Sequence, residues 1–206
     1  MTMRKQVRKI RRTFERITKM RTNRLMMPFA EFVVLIPFMT TDTLPLLALL
    51  SPPQKIGGRF VPSDLQMATF GQLVALQNAA KTNDYQKACC KLVGELVGIP
   101  AERVTSLPAR DVIGCVNMVK SEMERIGKLF QSLQSSNTAD EKMAGIDRMN
   151  FGTFGVVDWY AKRMGIVNHD EVFATPWQRI YQCMKIDHEQ NEFEKRYRKV
   201  VERSRK

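Results

Sequence analysis

Two histidines, four cysteines and a scatter of paired acids are the residues of this 206-residue chain whose types could do chemistry. His169 stands before Asp170 and Glu171, and His188 sits between Asp187 and Glu189. Neither histidine belongs to an HExxH pair or stands near cysteines at zinc-finger spacing, so a metal centre is not expected. Cys89 and Cys90 are adjacent, Cys115 and Cys183 are isolated, and there is no CxxC. Neighbouring cysteines on a helix point in different directions. All four are read as reduced thiols of a cytosolic protein, since the basic start lacks the apolar stretch of a secretory signal. Cys183 shares a helix with Trp177 and Tyr181 and reads as packing rather than as a nucleophile. The glycines of Phe151, Gly152, Thr153, Phe154 and Gly155 come after a helical stretch, not a strand, so they do not form a phosphate cradle. Pairs such as Glu122 with Glu124, or Asp140 with Glu141, are ordinary on helix surfaces. The chain reads as a non-enzyme with no cofactor.

What remains is charge and apolar spacing. Residues 1–27 carry Arg4, Lys5, Arg8, Lys9, Arg11, Arg12, Arg16, Lys19, Arg21 and Arg24 against Glu15 alone, a charge of +9. Residues 192–206 add +4, and the stretch between is close to neutral at −1, giving the net +12. This is an almost neutral body with basic ends. Val7, Ile10, Phe14 and Ile17 give the first segment a thin helical stripe, so it is expected to be an amphipathic helical arm. It has enough charge for ~6–10 phosphate contacts, which would make nonspecific nucleic-acid binding steeply salt-dependent. The same stripe suits docking on the protein's own body.

The elements that position these residues are mostly helices. The run from 32 to 38 is β-branched and aromatic and is expected to be a strand, confined to an edge by Pro37. Gly57 and Gly58 mark a turn, with a second short strand at 59–62, so a hairpin-like element is expected within 32–62. Residues 44–50 read as one or two helical turns. Thr69 and Gln72 form a capping box for a helix to about residue 81, and Asp84 caps the next, which stops at Gly98. Pro100 opens a short turn and Pro108 a long helix over about 108–134. That helix holds the most regular pattern in the chain. Val112, Val116, Val119, Met123, Ile126, Phe130 and Leu133 are spaced 4-3-4-3-4-3, a narrow seam suited to another helix. The partner in that seam is either another part of this chain or a different helix, including a second copy. The polar break at 135–138 suggests a boundary, giving an arm over 1–27, a helical core with a small β element over 28–135 and a helical region over 136–206. Thr138 and Glu141 read as a capping box, residues 151–155 as a turn, 156–164 as a helix, Asn168 as a cap, and Thr175 with Pro176 as the cap and first turn of the last helix. The expected fold is mainly α. The greasiest stretch, 32–50, is interrupted by Pro37, Asp42 and Pro45, so no membrane span is expected.

Several stretches together resemble a known family. Phe60 to Leu65, Thr69 to Leu73, the polar pause at 81–86, the apolar Leu92 to Val97, then Gly98-Ile99-Pro100 and Leu107-Pro108 before the long helix run in the order of the tail assembly chaperones of tailed bacteriophages. Residues 144–155 and 194–197 are similar to the region after that domain in some long-tailed phages. The resemblance covers about residues 60–200. It implies a non-enzymatic protein of the bacterial host cytoplasm that binds the tape-measure protein or tail-tube subunits; the 112–133 seam and neighbouring methionines are the surface that could cover a partner helix's apolar stripe. The basic arm lies outside it. An alternative reading is a virion structural or connector protein whose arm contacts DNA.

Overall fold

The structure is a computed structural model and describes residues 25–39, 44–133, 142–145 and 151–204. The architecture is mainly α with one small antiparallel hairpin. The chain divides into two compact units, Met1–Ser63 with Leu76–Lys120, and Asp64–Ala75 with Ser121–Lys206. Two helices run on from one unit into the other. The expected boundary at 135–138 and the arm up to residue 24 lie outside the described residues.

In the first unit the chain enters helix α1, Phe29–Leu35, and a 3-10 turn, Ile36–Phe38. This corrects the expected strand at 32–38. Strand propensity is a weak preference that packing overrides. Phe29 and Phe32 are one helical step apart and both fully buried, a pairing that a strand would split between two faces. Pro28 fixes the helix start, its carbonyl accepting the N–H groups of Glu31 and Phe32. The Phe29 N–H donates to the Leu107 carbonyl at 2.9 Å, and the Ala109 N–H donates to the Met27 carbonyl at 3.0 Å.

Helix α2 is Leu44–Leu47. The hairpin comes next, with β1 at Lys55–Ile56 and β2 at Arg59–Phe60, paired Lys55 to Phe60 and Ile56 to Arg59. It lies entirely within the Gly-Gly turn and its flanks, so the second expected strand pairs with 55–56 and not with 32–38. Gly57 and Gly58 both have positive φ, at +55° and +81°, which is what a two-residue primed turn needs. Helix α3, Phe70–Ala79, opens in the second unit and closes in this one. Helix α4, Tyr85–Val97, is capped by Asp84, whose carboxylate accepts the Lys87 N–H at 2.9 Å, and ends at left-handed Gly98. A single turn, α5 (Ala101–Val104), leads to the long helix α6, Ala109–Gln131. Cys89, Cys90 and Cys115 are buried, and burial pushes the Cys89 thiol up to about 11 and that of Cys115 to about 12.

The second unit is built on α7 (Gly152–Met164), α8 (His169–Ala174) and α9 (Trp177–Ser204), with the first part of α3 and the end of α6. The capping box of α3 is formed reciprocally. Thr69 N–H donates to Gln72 Oε1 at 2.9 Å, and Gln72 N–H to Thr69 Oγ1 at 3.2 Å. Asn168 caps α8 through the Asp170 N–H. Two expectations are corrected. Residues 152–155 are the first turn of α7, not a separate turn. Thr175 is the C-cap of α8 rather than the N-cap of α9: its N–H donates to the Val172 carbonyl, its hydroxyl donates to the Glu171 carbonyl at 2.9 Å, and α9 begins at Trp177. Trp177 is the anchor of this unit: its indole N–H donates to the Leu65 carbonyl at 2.7 Å, and its ring lies 6.2 Å from that of Phe130.

Candidate partner-binding groove

The 112–133 seam points largely into the protein. In the first unit Val112 and Val119 are fully buried and Val116 is half-buried; in the second, Ile126 is buried, and Met123, Phe130 and Leu133 are half-buried. Phe130 meets Tyr181 edge-on at 5.5 Å, in addition to Trp177. Most of the apolar surface that reads as a partner seam in one dimension is covered by the chain itself, and the half-buried Leu133 lines a groove. The arm residues Arg4, Lys5, Arg8, Lys9, Arg11, Arg12, Arg16, Lys19, Arg21 and Arg24 lie outside the described residues.

Leu133 lines an open apolar groove of about 420 Å³ in the second unit. Its walls are the first two turns of α7 and the middle of α9, with Phe151, Val156 and Trp159 on one side and Met184 and His188 on the other. The local sequence explains the opening. Gly152 and Gly155 place no side chain where the two helices face the groove, while Phe151 stands at its edge, 66% exposed. An apolar cavity with an exposed aromatic ring at its edge is what a binding surface presents to a ligand segment.

A polar corner holds the groove's shape. Arg163 pairs with Asp187, joining α7 to α9. Its guanidinium also lies over the Trp159 ring, 5.8 Å from the centroid. The carboxylate fixes the guanidinium, and the guanidinium fixes the indole. Tyr160 is buried behind this wall, and burial pushes its hydroxyl above its ordinary value. His188 lines the groove, whereas His169 packs edge-on against Phe154 at 5.3 Å. Among the described residues no group of His, Cys, Asp and Glu is arranged to hold a metal ion. No helix among them is long and apolar enough to cross a membrane.

Sequence reasoning misses Trp159 and Phe151 as site residues. The signal for them is the helical spacing of Val156, Trp159 and Arg163, but the glycines make 151–155 look like a turn and hide the groove's edge. Of the methionines, Met67 and Met143 are exposed at 88% and 81%, Met123 and Met184 are half-buried, and Met118 is core. No family model, no curated protein and no solved structure matches this chain.

Proposed function

We propose that this chain is a non-enzymatic assembly protein of the tail-chaperone kind, which binds an apolar segment of a tape-measure or tail-tube protein in the host cytoplasm. The observation that carries this reading is the apolar groove between α7 and α9, lined by exposed Phe151 and by Trp159 and shaped by the Arg163–Asp187 pair. A protein that keeps a long amphipathic helix in solution needs an accessible apolar surface of this kind, and helix-in-groove binding uses a few side chains spaced along one face. The groove, with Leu133 at its end, takes the role that the whole seam held in the sequence reading. Self-association through the same surface is a competing use of it.

The experiment is co-expression with a tape-measure protein, comparing the native protein with a Phe151→Ser/Trp159→Ala variant, both residues lining the groove. The native chain keeps the tape-measure protein in the soluble fraction and co-purifies with it, while the variant folds but loses at least tenfold in affinity. No complex with the native chain, or full retention by the variant, overturns the reading. A second reading, a virion connector whose arm contacts DNA, is favoured by the +9 charge of residues 1–27.

A further inference from the structure

Helix α9 is 28 residues long, about 42 Å, and its two halves have different surroundings. Trp177 and Ile180 are buried, and Tyr181 and Met184 are half-buried, so the first half is held by the core of its unit. Beyond Glu192 almost every described residue is exposed. A second apolar series, half a turn round the helix from the buried face, is exposed. Phe193, Tyr197 and Val200 are 60%, 60% and 59% exposed, and Ile186 one heptad earlier is 48% exposed. Phe193 and Tyr197 stack on each other with ring centroids 6.1 Å apart and planes 16° from parallel, so the stripe is already ordered as a contact surface. Phe193, Tyr197 and Val200 stand at i, i+4 and i+7, the anchor spacing of a helix that enters a partner's apolar groove or seam.

The charges beside the stripe say what kind of partner it is. Taking Phe193 and Val200 as d positions and Tyr197 as a, Arg196 and Arg203 both fall at g, on the same edge of the stripe. Among the described residues no ion pair holds Arg196, Lys199 or Arg203, while Lys195 is paired with Glu192 and Arg198 with Glu194. We propose that the C-terminal half of α9 is a docking helix for an acidic protein partner, one that offers an apolar helical seam with carboxylates along its edge. A second copy fits poorly. A parallel pair would set Glu189 at g against Glu194 at e, and Arg196 against the apolar Val201. A phosphate backbone needs no apolar stripe, and a lipid surface calls for a wide apolar face, whereas spacing of 3 and 4 keeps this one narrow. The element is separate from the α7–α9 groove and does not depend on what that groove binds.

The full chain is titrated with two synthetic helical peptides of three heptads, both with Leu at a and d, one with Glu and the other with Lys at every e and g. The Glu peptide binds and the Lys peptide binds at least tenfold more weakly. Phe193→Ala/Tyr197→Ala abolishes binding of the Glu peptide. Arg196→Glu/Arg203→Glu exchanges the preference in favour of the Lys peptide, a gain that misfolding cannot produce. Equal affinity for both peptides, or no binding of either, overturns the proposal. So does a native chain that is dimeric by sedimentation and becomes monomeric in the Phe193→Ala/Tyr197→Ala variant, which would make a second copy the occupant. Loss of short duplex-DNA binding in that same variant would make nucleic acid the occupant and equally overturn it.

Discussion

Glu122 shows how much one side chain on the long helix organises. Its carboxylate accepts the Leu65 N–H at 3.1 Å and a two-pronged contact from Arg125, at 2.9 Å from Nε and 2.8 Å from Nη2. It therefore holds the start of the 64–70 segment, from which the Leu65 carbonyl reaches back to Trp177. The hydrogen bonds from Arg125, together with the Leu65 N–H, hold the Glu122 carboxyl below its usual value against the opposing effect of burial. A folded-state value below the unfolded one means that the unfolded chain takes up the proton first. The contribution is fully present above about pH 4.3, the ordinary glutamate value, and is lost as pH falls through the lower folded value. Glu122→Gln keeps the shape and removes the charge, and should lower stability by about 1 kcal/mol at pH 7, since the arginine is partly exposed and screened. Urea unfolding at pH 7 and again at pH 3 checks it: the difference between native and variant is smaller at the second than at the first.

At the scale of elements, α6 is fixed by what crosses it. Asn117 donates from its side-chain amide to the carbonyls of Leu47 and Leu50, at 2.7 and 3.1 Å, so the end of the α2 segment lies across the helix. Gly114 makes room for it, because a Cβ there would run into the Ser51 carbonyl and come within 3.1 Å of Pro52 Cα. Gly114→Ala should cost about 2–3 kcal/mol through this overlap, although alanine is the better helix former. Thermal unfolding shows it as a fall in midpoint, whereas Gly127→Ala, with nothing within 4 Å of the new Cβ, should raise the midpoint slightly. These crossings mark what could be read in one dimension and what could not. Helix limits set by local chemistry were legible: the Thr69–Gln72 box, the Asp84 cap, left-handed Gly98 and the proline before α6. Residues 32–38 misled because strand propensity is a side-chain average, and the burial of Phe29 with Phe32 outweighed it. The seam was visible as a pattern, but spacing does not say whether the covering surface is the chain's own. The groove was least legible, since it depends on Leu133 just beyond α6, Trp159 on α7 and Met184 on α9, three separate stretches of chain.

For the molecule as a whole, the question is what its charge is for. Removing the basic segment takes away ten bases and one acid and leaves +3 of the +12. The place to cut is set by the structure. The Met27 carbonyl accepts the Ala109 N–H at 3.0 Å, and Pro28 bridges to Pro108, so residues 27 and 28 are part of how α6 begins. A cut after residue 27 would remove that carbonyl along with the charge and confuse lost binding with lost packing. Deleting residues 1–24 removes every arm base from Arg4 to Arg24 and keeps Met27. If the arm is a phosphate contact, the full chain shifts duplex DNA at ~50 mM salt and releases it by ~200 mM, with a logarithmic slope approaching about −9 if all ten bases engage. The truncated chain then shows no shift and unfolds at the same urea midpoint. If the arm instead packs on its own body, the deletion lowers that midpoint, and DNA affinity never had the steep slope. The exposed bases Arg196, Lys199 and Arg203 on α9 remain in both proteins. Weak binding that survives the deletion with a slope near about −3 belongs to that helix, so the slope alone separates one basic end from the other.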